Sequence, residues 1–313
     1  MTNRVSRLAP SPTGALHLGN ARTFVINWAL ARRGGWRLLM RVDDLDGPRV
    51  KPQATQQALE ILAWLGLDQD GPILRQSDDL APYRRAMRVL ADRGRVYACA
   101  LTRKQIEQAA SAPHADEHEL RFPPELRPAE DERRGFGQED TNYRFLAPDE
   151  AIRIDDDFAG PSIHRPQEEV GDFVVWTRRG VPAYQLAVVV DDARQGVTDV
   201  VRGDDLLPSA ARQMMLYEAL DLRPPRFCHL PLVVGTDGRR LAKRHGDTRL
   251  ATYQRSGVRP ERIVGLLAAW SGIIDEPAEM TAADFRDRFL LDRLPPTPVT
   301  FTEEDHEWLL AGC

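Results

Sequence analysis

Two short segments, far apart in the chain, carry residue types suited to handling phosphate. The first is His17-Leu18-Gly19-Asn20. It follows a strand-like Arg4–Ala9 and a breaker-rich loop, Pro10-Ser11-Pro12-Thr13-Gly14, so His17 and Gly19 stand where a helix begins. A helix start offers free N–H groups and a partial positive charge, which suits a phosphate. An imidazole there can hydrogen-bond a triphosphate as charge shifts, and Gly19 would let a nucleotide ring approach the backbone. Alone, the triplet fits a capping histidine equally well. The second segment is Gly238-Arg239-Arg240-Leu241-Ala242-Lys243-Arg244-His245-Gly246, a basic loop between two glycines. Only three of the 42 basic residues are lysines, so Lys243 inside an arginine-rich loop calls for a reason. Its ammonium could offset charge developing on a pyrophosphate leaving group. By itself the loop also fits a surface patch or an RNA contact.

The elements around these segments alternate. Leu18–Arg33 has helical spacing and stops at Gly34-Gly35, Trp36–Val42 is an apolar strand, and Gln53–Leu65 is helical up to Gly66. A strand near Ile73-Leu74 and a helix from Asp78 to Asp92 follow. The β-α-β-α order predicts a parallel sheet with helices on its faces. Residues 111–140 are polar and rich in proline, glutamate and arginine, and read as a loop-rich insertion. His114 and His118 there are expected to be solvated loop histidines. The α/β pattern returns after about residue 170. Phe173–Trp176 and Val197–Arg202 read as strands, Leu186–Val190 as a continuous apolar run, Leu206–Leu220 as a helix and Leu230–Val234 as a buried strand. Thr236-Asp237-Gly238 turns into the Lys243 loop, and the chain from about Thr248 is helical with proline breaks. The first phosphate segment thus follows the first strand of the α/β unit, and the second follows its last.

The 313 residues, 42% hydrophobic and 28% charged, suit a soluble globular protein. No apolar run approaches a membrane span, and the N-terminus has no signal-peptide apolar region. Cys99, Cys228 and Cys313 are too scattered for a disulfide framework, so a cytoplasmic location is expected. A net charge of −5 argues weakly against nucleic acid, but a local basic face is sufficient for binding a phosphate backbone.

Taken together, the two segments resemble the signature pair of the class I aminoacyl-tRNA synthetases. His17-Leu18-Gly19-Asn20 is similar to their HIGH motif and Arg240-Leu241-Ala242-Lys243-Arg244 to their KMSKS loop. The run RLAPSPTGALHLGNAR, the segment LLMRVDDLD at Leu38–Asp46, and Tyr184–Asp192 continuing through GVTDVVRGDD resemble the glutamyl branch. The resemblance implies an α/β fold: a Rossmann-like parallel-sheet catalytic domain split by an α+β insertion, followed by a small C-terminal helical region. The implied divisions are 1–95 and 171–247 for the catalytic halves, 96–170 for an acceptor-binding insertion and 248–313 for the helical region. Carried over residue by residue, Arg7, Ala9 and Ser11 match positions lining a glutamate pocket. Arg202 matches the arginine that pairs with the substrate side-chain carboxylate, and Tyr184 a pocket wall. His17, Gly19, Lys243 and Arg244 match the ATP site, and Asp205 a carboxylate near the ribose. Asp43 stands where the family has a glutamate for the substrate ammonium, one methylene shorter.

The resemblance implies glutamate and ATP with Mg2+ as substrates and a tRNA acceptor. The α-carboxylate would attack the α-phosphorus of ATP to give glutamyl-adenylate, with no side-chain nucleophile. The family's short branch, the glutamyl-Q tRNA(Asp) synthetases, lacks an anticodon-reading domain and transfers glutamate to queuosine of tRNA(Asp). Chain length and the segment from Val188 to Leu207 favour that branch, so queuosine-bearing tRNA(Asp) is the expected acceptor and a monomer the expected state. The alternatives are a glutamyl-tRNA synthetase without anticodon reading, a nucleotidyl-transferring enzyme and a non-catalytic RNA-binding paralogue. Where the short branch often binds zinc, Cys99-Ala100-Leu101 keeps one thiol only, and no zinc is expected.

Overall fold

The computed structural model describes every residue except 1–2, 13, 48–49, 51, 110–120, 131–134, 240, 242–247 and 312–313. The chain opens with β1 (Val5–Leu8), α1 (Leu18–Gly34), β2 (Arg37–Val42), α2 (Pro52–Trp64), β3 (Leu74–Arg75) and α3 (Ala81–Asp92). β2 pairs in parallel with β1 and with β3, as the alternation of elements requires. Two causes stop α1. Gly35 takes φ 64°, a left-handed geometry that favours glycine, and its N–H turns back to Arg32 O. One face of α1 buries Leu18, Val25 and Ile26 completely, in one apolar cluster with Leu8 and Leu38. Each such side chain contributes roughly 1.5–3 kcal/mol on leaving water. Asn27, also buried, ties the helix to β1: its amide donates to Arg7 O at 3.0 Å and it accepts from Ser6 Oγ at 2.9 Å. The helix therefore fixes the strand that presents Arg7.

Next come β4 (Val96–Cys99), α4 (Arg103–Ala109), β5 (Asn142–Phe145), β6 (Ile152–Asp156), β7 (Gly160–His164), α5 (Pro166–Glu169) and β8 (Phe173–Trp176). β4, β5 and β8 form an antiparallel sheet, and β6–β7 an antiparallel hairpin. The expected strand at Phe173–Trp176 is present, but its partner is β5 rather than a parallel strand. A four-residue apolar run does not encode its neighbour.

The chain continues with α6 (Tyr184–Arg194), β9 (Asp199–Gly203), α7 (Leu207–Ala219), β10 (Arg226–Leu230) and β11 (Val233–Val234). The apolar run Leu186–Val190 is the buried middle of α6. A helix covered on all sides shows no stripe, which is why periodicity alone left its type open. The strand expected over Leu230–Val234 breaks at Pro231, which has no N–H to give a ladder. β10 ends before the break, and β11 pairs after it with β12 (Val299–Thr300). The rest is α8 (Leu250–Arg255), α9 (Pro260–Trp270), α10 (Ala282–Arg288) and α11 (Glu303–Leu310).

β9 and β10 are parallel, and β9 lies beside β1, where Thr198 N–H donates to Val5 O at 2.9 Å. Chain order therefore runs outward from β1 in one direction and from β9 in the other. Such a reversal opens a crevice at the carboxyl ends of the two strands, the usual ligand position in an α/β sheet. The β6–β7 hairpin braces the far side of β10 through Asp157 N–H to Phe227 O at 2.8 Å.

Candidate active site

A cleft of about 780 Å³ occupies that reversal point. The end of β1 and its loop bring Arg7, Ala9 and Ser11 to it, and the start of α1 brings His17 and Gly19. Asp43 follows β2, Tyr184 opens α6, Arg202 lies on β9, and Asp205 comes just after. The nine described residues singled out in the sequence thus meet on one cavity. Lys243 and Arg244 lie outside the described residues, but both flanks of their loop are anchored at the cleft. Leu241 N–H donates to Val233 O at 3.2 Å, and Leu18 N–H donates to Thr248 O at 3.2 Å. His17 and Arg249 form an antiparallel bridge. The chain leaving the basic loop is therefore stitched to the residues that open α1.

At the end of the cleft where α1 starts, His17 is the extended residue preceding the helix (φ −119°, ψ 171°), and Asn20 Oδ1 accepts from its backbone N–H at 3.2 Å. Gly19 is held small by its neighbour. A Cβ there would come within 3.1 Å of His17 Cε1 and 3.2 Å of Nδ1. Glycine thus leaves room for the imidazole beside the helix start, where unbonded N–H groups favour an anion. Gly203 does the same on β9, since a Cβ would meet Asp205 Oδ1 at 2.7 Å.

At the other end, Arg202 is 5% exposed. Its Nε donates to His229 Nε2 at 2.9 Å and Nη2 donates to Leu206 O at 3.3 Å, while Nη1 is buried without a partner. Among the described residues no carboxylate pairs with this guanidinium, so the alternative of a salt bridge to Asp204 or Asp205 is not realised. Burial, the main cause, lowers its pKa, and neighbouring Arg7 adds to the strain of the charge. An unpartnered buried donor on a guanidinium is costly unless an anion meets it.

Beside it lies a neutralised network that the sequence reading did not assign. Arg41, fully buried, donates to Asp43 Oδ1 at 2.7 Å and to Asp192, and lies 3.8 Å from Asp191. Arg7 reaches Asp192 at 3.3 Å, and Arg194 reaches Asp191 at 2.8 Å. Burial opposes the charge on Asp192, but Arg7 and Arg41 outweigh it and hold the carboxyl below its usual range. Asp43 moves the other way: burial pushes it up, and Arg41 only partly offsets this. Arg41 itself stays charged, since three aspartates overcome its desolvation. Asp43 therefore shares its oxygens with a cation already in place, which sequence position alone did not disclose. Behind Arg202, His229 and Asp156 also escaped notice. A lone histidine in the apolar strand Phe227-Cys228-His229-Leu230 was the signal, because a buried imidazole needs partners.

Residues 4–301 match the family of class I (E and Q) tRNA synthetases, catalytic domain. The chain belongs to this family. Among its relatives, a glutamyl-Q tRNA(Asp) synthetase of Symbiobacterium thermophilum is 45% identical over 98% of this chain and 98% of its own length. One of Rhodopirellula baltica is 48% identical over 87% of this chain and 86% of its own length. A glutamate–tRNA ligase 2 of Roseobacter denitrificans is 40% identical over 95% of this chain, but that match spans 63% of the ligase. In structure, a glutamate tRNA ligase from Elizabethkingia meningosepticum, crystallised with its amino acid, superposes with a TM-score of 0.79 at 26% identity. That superposition covers 98% of this chain and 68% of the ligase. As a class I synthetase of this family, the chain is a ligase of the amino acid–tRNA type with an α/β Rossmann-like fold. No helix among the described residues is long and apolar enough to cross a membrane.

Proposed function

We propose that this synthetase activates glutamate with Mg–ATP, without tRNA, and transfers it to queuosine in the anticodon loop of tRNA(Asp). The glutamate reading is carried by Arg202, a buried guanidinium that lines the cleft with one donor unused and, among the described residues, no carboxylate in contact. A planar guanidinium of this kind suits the side-chain carboxylate of glutamate. Arg7 and Tyr184 complete that end of the pocket, Asp43 takes the ammonium beside Arg41, and Ala9 and Ser11 line the wall. In the reaction, a glutamate α-carboxylate oxygen bonds to the α-phosphorus while the bond to the bridging oxygen breaks and pyrophosphate leaves. His17, at the helix start, and Lys243 with Arg244, on the basic loop, stabilise the phosphates. Gly19 leaves space for the nucleotide and Asp205 takes the ribose. An RNA hydroxyl then attacks the acyl carbon and AMP departs. Positioning and electrostatics supply the catalysis.

The acceptor reading draws on the relatives named glutamyl-Q tRNA(Asp) synthetase, which match along most of their length. Queuosine carries a cyclopentene diol similar to the ribose diol of a terminal adenosine, so one site geometry can acylate either. In this reading residues 96–170 approach the acceptor, residues 248–313 form a helical region against the RNA stem, the protein is a cytoplasmic monomer, and no zinc is bound. The test is glutamate charging of tRNA(Asp) purified with and without queuosine, alongside tRNA(Glu). Charging of queuosine-bearing tRNA(Asp) alone is expected. Equal charging of both tRNA(Asp) forms, or preference for tRNA(Glu), overturns the acceptor in favour of a glutamate–tRNA ligase. Zinc found by metal analysis of the purified protein overturns the metal-free reading.

A further inference from the structure

Behind the cleft, three buried side chains form a line from the β6–β7 hairpin to the pocket. Asp156 ends β6, His229 lies on β10, and Arg202 lies opposite His229 in the parallel β9–β10 register. The Asp156 and His229 side chains are 0% exposed. Protonation in the line follows from chemistry. Arginine only donates, so the bond from Arg202 Nε makes His229 Nε2 an acceptor. The ring proton of a neutral imidazole is then on Nδ1, which donates to Asp156 Oδ2 at 2.6 Å. Asp156 is in turn fixed by the N–H groups of His229 at 3.0 Å, Phe158 at 3.0 Å and Ala159 at 2.8 Å.

We infer that Asp156 and His229 are positioning residues that orient the Arg202 guanidinium for the substrate side-chain carboxylate without neutralising it. The inference rests on the proposed role of Arg202. Two features favour it over simple packing. An apolar residue would fill the interior of β10 without the desolvation cost of an imidazole. The contact on Arg202 is also a neutral acceptor, with the carboxylate held one ring further back. A carboxylate directly on Arg202 would compete with the substrate's own; a neutral imidazole fixes the plane and leaves Nη1 and the positive charge for the ligand.

The experiment is glutamate-dependent pyrophosphate exchange with the full chain, measuring KM for glutamate and for ATP separately. Asparagine at 229 can mimic Nδ1 and keep the Asp156 contact; glutamine can mimic Nε2 and keep the Arg202 contact. His229→Asn is expected to raise the glutamate KM about tenfold, as loss of a hydrogen bond to a charged group does, with the ATP KM unchanged. His229→Gln should restore most of the loss, although it breaks the contact to Asp156. An unchanged glutamate KM in His229→Asn, or His229→Gln the worse of the two, overturns the inference and makes His229 a packing residue. Asp156→Asn reads the same line without touching position 229, and it too is expected to raise the glutamate KM alone; equal changes in both KM values overturn the inference. Arg202→Ala separates the two layers. If it leaves the glutamate KM unchanged, the pocket reading itself fails. If it raises that KM and His229→Asn does not, only the positioning line fails.

Discussion

At residue scale, the cleft sets Arg7 and Arg41, already paired with aspartates, against Arg202, which among the described residues pairs with no carboxylate. Arg41 and Arg7 are held by aspartates, and their charge is consumed in keeping Asp192 ionised. Arg202 keeps its charge available, at the cost of a desolvated guanidinium with a free donor. Breaking a buried charge pair typically costs about 3–5 kcal/mol, so the aspartates around Arg41 are expected to matter for folding as well as for binding. Lys243 is different in kind, since its proposed work is done only as pyrophosphate leaves. Lys243→Ala is therefore expected to slow glutamate activation by roughly a hundredfold, the usual effect of removing one transition-state charge partner. Glutamate binding should hardly change, and single-turnover adenylate formation with separately measured glutamate affinity checks both halves. Near-normal rates in Lys243→Ala, with the loss appearing in Arg240 or Arg244 variants, would mean the basic loop is misaligned.

At the scale of elements, the start of α1 joins three parts of the site: β1 before it, the chain after the basic loop through Thr248, and β11 through Val233. Gly19 separates helix stability from function here. Replacing glycine by alanine within a helix gains about 1 kcal/mol of propensity. The new methyl, however, stands 3.1–3.2 Å from the His17 ring, tight enough to push the imidazole aside. Gly19→Ala is expected to leave the thermal midpoint unchanged or slightly higher while slowing adenylate formation by roughly a hundredfold, the scale of loss for a catalytic group misplaced by about an ångström. Thermal unfolding and pyrophosphate exchange on the same preparation test the pair of outcomes; an unchanged exchange rate would show that the imidazole has no part in activation.

At the scale of the whole molecule, the hairpin and the parallel unit are joined through a titratable pair, so their union should depend on pH. Burial is the main cause that keeps His229 below its ordinary 6.5, against the pull of Asp156. The Asp156 carboxyl, despite burial, is drawn by His229 and backbone N–H groups from 3.8 to about 2. Both native values are depressed, so the unfolded chain binds more protons in acid and stability rises with pH. The histidine contribution is present above 6.5 and is lost as pH falls through its lower native value. The aspartate contribution, about 2 kcal/mol, is present above 3.8 and lost as pH falls through about 2. Denaturant unfolding across acid pH should show this fall, and Asp156→Asn should flatten its lower limb whatever its absolute stability. An unaltered slope in that variant would remove the pair from the acid response.

The sequence by itself determined a good deal of this protein. Strand, loop and helix start around His17 follow from local signals, namely a short apolar strand, prolines and glycines in the loop, and apolar spacing after it. The resemblance to the glutamyl branch implied Arg7, Asp43, Tyr184 and Arg202 as pocket residues, and the fold brings all four to one cleft. Tertiary structure decided what pairing and burial decide. It put β8 against β5, broke the Leu230–Val234 run at Pro231, and made the Leu186–Val190 run the core of a helix. It also decided which charges are paired: among the described residues Arg41 lies against three aspartates and Arg202 against none. No spacing rule reaches from Asp156 to His229 to Arg202, since those contacts join strands distant in the chain. A hydrogen bond across such a gap exists only once the sheet has set the register.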